Sequence, residues 1–136
     1  MGVELSAVDY AILSHGHADH GGGLETFLQI NAQAPVYANE HAFGKHYVGT
    51  QPGGAKYFGL NRDLMSTGRF ILTGSMHEIS PGLVLFAGVE GEKWRPAGNV
   101  SLLRENRGRL EPYPFDHEQN LLLRETGKTV LIAGFA

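Results

Sequence analysis

The stretch Asp9-Tyr10-Ala11-Ile12-Leu13-Ser14-His15-Gly16-His17-Ala18-Asp19-His20 decides how this chain is read. Asp9 to Leu13 is a short apolar run that ends abruptly in polar residues and glycine, so it predicts a buried strand. Three histidines and an aspartate then fall within six residues. Imidazole and carboxylate groups are ligands for zinc and other divalent metals. His15 and His17 stand two apart, so in a turning loop both can face one ion. Asp19 and His20 sit on the next bend and can face a second. Gly16 and Ala18 keep the loop narrow enough to fold around metal. A solvated polar turn would explain one histidine after a strand, but not four ligand-type residues in this order.

Working outward, Gly21 to Gly23 lead into Leu24-Glu25-Thr26-Phe27-Leu28-Gln29-Ile30, where Leu24, Phe27, Leu28 and Ile30 predict an amphipathic helix. Pro35 to Ala38 predicts a second short strand, and Asn39 a cap for a helix over Glu40 to Tyr47. Val48 to Gly68 reads as a surface loop with a short helix after Asn61. Arg69 to Thr73, His77 to Ile79 and Leu83 to Ala87 read as strands separated by Gly74-Ser75 and Pro81-Gly82. Gly88 to Pro114 reads as irregular, with one strand at Val100 to Leu103. Asn120 to Arg124 and Thr129 to Ala133, joined by Glu125-Thr126-Gly127-Lys128, carry a strong hairpin signal. This order favours a single mixed α/β layered domain over residues 1–136.

Composition narrows the classes. A net charge of −3 and scattered basic residues give no track for a phosphate backbone, so nucleic acid is not expected as a partner. Cys 0 rules out disulfides and thiolate metal sites, which fits a cytoplasmic protein. No apolar run approaches the roughly 20 residues of a membrane span, and Met1 to Glu4 does not open a signal peptide.

Leu13 to Gly23 resembles the His-x-His-x-Asp-His signature of the metallo-β-lactamase superfamily, including the preceding strand and the following glycines. Phe115-Asp116-His117-Glu118-Gln119-Asn120-Leu121 and Gly127 to Gly134, with the Glu78-Ile79 and Pro81-Gly82-Leu83 turn, resemble a subgroup likened to the archaeal pterin-pathway phosphate synthases. The resemblance implies an αββα sandwich with two divalent ions at its edge, zinc first, with iron and manganese as alternatives. His15 and His17 would bind the first ion and Asp19 and His20 the second. Asp19 would also orient the attacking water or move its proton. The implied activity is hydrolysis of an ester or phosphoester bond in a small-molecule substrate by a metal-bound hydroxide. The alternative is a non-catalytic oligomeric α/β fragment.

The resemblance also implies more chain than is present. Eight residues precede Asp9, where the family has a strand pair. After Gly134 the subgroup continues Cys-Ala-His; here the sequence reads Phe135-Ala136, and the histidine completing the first metal site would come next. A partial domain with weak metal binding and a tendency to homo-oligomerise is therefore expected. Among the other histidines, His41 and His46 read as helix-surface residues and His77 as the end of a strand. His117 either lines the pocket and touches substrate or makes a structural hydrogen bond. Trp94, Arg95 and Lys56-Tyr57-Phe58 read as packed or solvated loop residues, with contact to substrate as the alternative.

Overall fold

Residues 2–50, 52–90 and 96–134 are described by a computed structural model. The apolar run before the histidines forms strand β1 (Ala11–Ile12), and Val36–Asn39 forms β2 beside it in parallel. Helix α1 (Ala18–Gly21) and helix α2 (Leu24–Ile30) lie between them in the chain. β3 (His46–Thr50) and β4 (Gly54–Tyr57) pair antiparallel; β5 (Phe70–Thr73) returns to pair in parallel with β2. β6 (Met76–Ser80) and β7 (Leu83–Phe86) follow, then β8 (Leu102–Asn106), β9 (Arg109–Pro112), β10 (Asn120–Glu125) and β11 (Lys128–Ala133). The sheet orders are β1-β2-β5, β11-β10-β7-β6 and β4-β3-β8-β9. This is the mixed α/β architecture expected, rich in sheet and poor in helix. Among the described residues no helix is long and apolar enough to cross a membrane.

Packing begins under the parallel sheet. Leu13, Leu24, Val36, Ala38, Ala42, Phe43 and Leu60 form one buried cluster, with Phe27, Leu28, Met65 and Phe70 against it. Each large member stabilises the fold by about 1.5–3 kcal/mol through water exclusion. α2 has the predicted bounds but a narrower apolar face. Leu24 is buried and Phe27 and Leu28 pack on the cluster, while Ile30 is exposed. Positions i, i+3 and i+4 share a helical face; i+6 lies well away from it.

Two sequence expectations are corrected here. No helix spans 40–47: Asn39 caps one turn, its side chain accepting from the His41 amide at 2.8 Å, and the chain then extends into β3. Pairing of β3 with both β4 and β8 satisfies its backbone better than a lone helical turn would. The stretches read as loop and irregular chain hold β4 and the β8–β9 hairpin. The latter turns at Arg107 (φ 50) and Gly108 (φ 78), and the expected β10–β11 hairpin at Thr126 (φ 42) and Gly127 (φ 77). Positive φ at both central residues is the turn whose twist matches paired strands. The helix after Asn61 is present as a 3-10 segment, Arg62–Thr67.

Candidate metal centre

β1 is followed by the core residue Leu13, and the histidine loop starts there. Its path is fixed by residues far away in sequence. The Gln119 amide donates to the Ser14 carbonyl at 2.8 Å, and Gln119 Nε2 donates to the carbonyls of Leu13 at 2.7 Å and Tyr37 at 3.1 Å. Gln119 Oε1 accepts from Thr73 Oγ1 at 2.6 Å, so one buried side chain ties the approach to β10 onto β1, β2 and β5. The Gly16 amide donates to His117 Nδ1 at 3.1 Å. Gly16 must be glycine: a Cβ there would overlap the Ala42 carbonyl oxygen and lie 2.9 Å from the Ala42 Cα. A Cβ on Gly134, the residue after β11, would likewise overlap the Ser14 side chain.

His17 sits in extended backbone (φ −93, ψ 151) at the start of α1, so Asp19 and His20 occupy a helical turn rather than an open bend. One ligand atom from each of His15, His17 and Asp19 lies within 4.8 Å of the others. His15 and His17 are buried, while the Asp19 side chain is 58% exposed and faces solvent from the rim. His20 joins this group: its ring is 3.9 Å from that of His15, its Nε2 is 3.6 Å from an Asp19 carboxylate oxygen, and Ser14 Oγ lies 3.2 Å and 3.4 Å from Nδ1 of His15 and His20. The four predicted ligands therefore gather at one place, with Asp19 reaching the same point as His15 and His17.

A second ring of imidazoles backs the first. His46, expected on a helix surface, is buried on β3 with its ring 5.7 Å from His17 and 4.5 Å from His117. β3 turns it inward because its pairing places the backbone under the loop. His117 is fully buried, 4.7 Å from His17, and makes the structural hydrogen bond already described. Tyr113 packs within 4.5 Å of His117, and Phe58 within 5.1 Å of His17. Of the other expectations, His41 is a surface residue beside Glu40, in a turn. His77 packs on Tyr37 from within β6. Trp94, Arg95, Phe135 and Ala136 lie outside the described residues.

Burial and mutual proximity keep these rings neutral. His15 and His17 are each pushed down to about 4, first by loss of water and then by neighbouring imidazoles. Burial lowers His46 as well and drives His117 far below the usual imidazole range. Neutral imidazole is the form that ligates metal. Among the described residues His17 Nε2 is buried without a hydrogen-bond partner, a costly state unless a ligand satisfies it. The donor set fits a divalent ion: two neutral nitrogens and a carboxylate converge, with a further imidazole beside them. Sequence reading missed His46, because nothing near it in the chain signals that β3 lies under the loop.

A family model described as the metallo-beta-lactamase superfamily matches residues 1–93. The chain is 24% identical over 143 residues to the 7,8-dihydropterin-6-methyl-4-(beta-D-ribofuranosyl)-aminobenzene-5'-phosphate synthase of Methanocaldococcus jannaschii, covering 98% of this chain and 48% of that protein. It is also similar to the crystal structure of Tm1679, a metal-dependent hydrolase of the beta-lactamase superfamily, with a TM-score of 0.66 and 25% identity over 88% of this chain and 43% of that one. The chain thus spans about half the length of these relatives.

Proposed function

This chain belongs to the metallo-β-lactamase superfamily, and we propose that it carries the histidine-loop half of a metal-dependent hydrolase that cleaves an ester or phosphoester bond. The observation that carries this reading is the convergence of His15, His17 and Asp19 within 4.8 Å. These three residues would hold a divalent ion, zinc first, and His20 with Asp19 would face a neighbouring one. The chemistry such an ion would supply when bound is polarisation of the bond under attack and a lowered pKa for water. The chain's own residues supply the rest. Burial holds His15 and His17 in their ligating form. Ser14 Oγ lies within reach of the rings of His15 and His20, and Asp19, at the solvent rim, would accept the proton of an incoming water.

A catalytic zinc takes three protein ligands and a structural one four. With a carboxylate this exposed among its ligands, this chain is expected to bind zinc weakly, losing it on dialysis. His15→Ala combined with His17→Ala is expected to abolish the remaining uptake. Metal analysis after equilibrium dialysis checks this; two tightly held ions per isolated chain, or uptake unchanged in the double variant, would overturn it. A panel of aryl esters and phosphoesters assayed with added zinc then tests the bond type.

A second reading, association between copies, is favoured by β11. This edge strand pairs only with β10 among the described strands and exposes Val130, Leu131 and Ile132 at 49%, 59% and 53%. An apolar edge strand is a template for pairing with another chain. Light scattering is expected to give a dimer or larger species that Leu131→Lys returns to monomer; a wild-type monomer at high concentration would count against it.

A further inference from the structure

His117 faces the metal loop with its two ring nitrogens doing different things. Nδ1 accepts the Gly16 amide proton at 3.1 Å. A neutral imidazole that accepts at Nδ1 carries its own proton on Nε2. That nitrogen is buried and has no hydrogen-bond partner among the described residues, in a residue with no exposed surface. Its lone pair is therefore committed away from any metal, and what it offers the site is one fixed N–H donor. The rings nearest to it are His46 and Tyr113, each at 4.5 Å, and His17 at 4.7 Å.

His46 and Tyr113 also line a cavity of about 420 Å³ that opens to solvent. Lys45, Arg62 and Arg104 line it together with the carboxylates of Glu40, Glu105 and Asp116. Lys45 and Arg104 are held by Glu105 at 2.6 Å and Asp116 at 3.0 Å, whereas Arg62 makes no ion pair among the described residues. A cavity with an uncommitted guanidinium, ending at rings that touch a buried unpaired N–H, is suited to a small molecule bearing an oxyanion. Leaving such a donor unsatisfied is costly, so an arriving acceptor oxygen is favoured.

We propose that His117 serves this centre twice: as a positioning residue that holds the histidine loop through Nδ1, and as the Nε2–H donor to an oxyanion of the substrate. The second role rests on the hydrolase reading above; the first does not. It sets His117 apart from His15 and His17, since a ring used in this way is not a ligand.

Two variants separate the roles. Asparagine can place Oδ1 near the position of His117 Nδ1 but has no donor at the position of Nε2; phenylalanine has neither. His117→Asn is expected to keep zinc affinity and to weaken phenyl phosphate binding about tenfold or more. His117→Phe is expected to lower zinc affinity as well, by about 10–100-fold, the usual effect of losing a group that orients ligands. Imidazole 1H–15N NMR of the wild-type chain is the measurement that survives even if a variant does not fold. It is expected to show His117 protonated at Nε2 and that proton shifting as phenyl phosphate is added. A proton on Nδ1, an Nε2–H bonded to His46 Nδ1 throughout, or equal phenyl phosphate affinity in wild type and His117→Asn would overturn the proposal. Failure of zinc uptake with the Nε2–H shift intact would instead sink the hydrolase reading, and with it the donor's role toward a substrate, and leave the loop-holding role standing.

Discussion

Gly16→Ala is expected to destabilise the chain by about 3 kcal/mol or more and to remove its metal uptake, the largest effect of any single methyl group added to the loop. The added Cβ would overlap the Ala42 carbonyl oxygen and sit 2.7 Å and 2.9 Å from the Ala42 carbonyl carbon and Cα, so backbone must move. Neither side can yield cheaply. The Ala42 carbonyl accepts from His46 Nε2 at 3.3 Å, and the Gly16 amide is held by His117. A shift of either segment displaces His15 and His17 from the point they share with Asp19. Gly23→Ala is the control within the same loop: nothing lies within 4 Å of its Cβ, and its backbone is ordinary (φ −83). That change is expected to cost less than about 1 kcal/mol. Urea unfolding midpoints for the two variants beside wild type check the contrast, and equal midpoints for Gly16→Ala and wild type would defeat it.

The contrast also shows what the sequence made legible. The strand before the histidines, the bounds of α2 and the turn at Thr126-Gly127 are local matters, decided by apolar runs, helical spacing and turn chemistry, and each was readable. The meeting of His15, His17 and Asp19 was readable for the same reason, since these residues need only one loop to come together. What could not be read depends on distant contacts. Gln119 looked like part of a motif, but its work is to bond Leu13, Ser14, Tyr37 and Thr73, between 46 and 106 residues away. His46 looked like a surface histidine because burial on β3 is decided by its pairing with β8, and the strand read at Val100 to Leu103 carries no sign of which strand it pairs with. Gly54 to Tyr57 and Arg109 to Pro112 are largely exposed strands, so neither shows the alternation that marks a half-buried one.

The buried imidazoles make a second large prediction, for the metal-free chain: it is expected to lose stability steeply as pH falls from 7 to 5. His15 and His17 titrate near 4 when folded and near 6.5 when unfolded. Between those values the unfolded chain binds protons that the folded chain excludes, so stability is present above 6.5 and lost as pH falls toward 4. One pH unit of displacement is about 1.4 kcal/mol, which gives on the order of 3 kcal/mol for each of the two by pH 4. His46 and His117 are lowered in the same sense and add to the loss. Glu118 opposes it. Burial raises that carboxyl to about 7, so the folded chain keeps a proton that the unfolded chain releases above its ordinary value near 4.5, and stability falls as pH rises through that window. One carboxyl against four imidazoles leaves the histidines dominant, and their sum is comparable with the roughly 5–15 kcal/mol that holds a domain folded. Urea midpoints at pH 7 and pH 5 in a chelator measure the net slope. Glu118→Gln is expected to steepen it and to raise the midpoint at pH 8, because the opposing carboxylate is gone. A metal-free chain as stable at pH 5 as at pH 7 would mean that the four rings are not held neutral by burial, and with that the preformed, ligation-ready loop would fall.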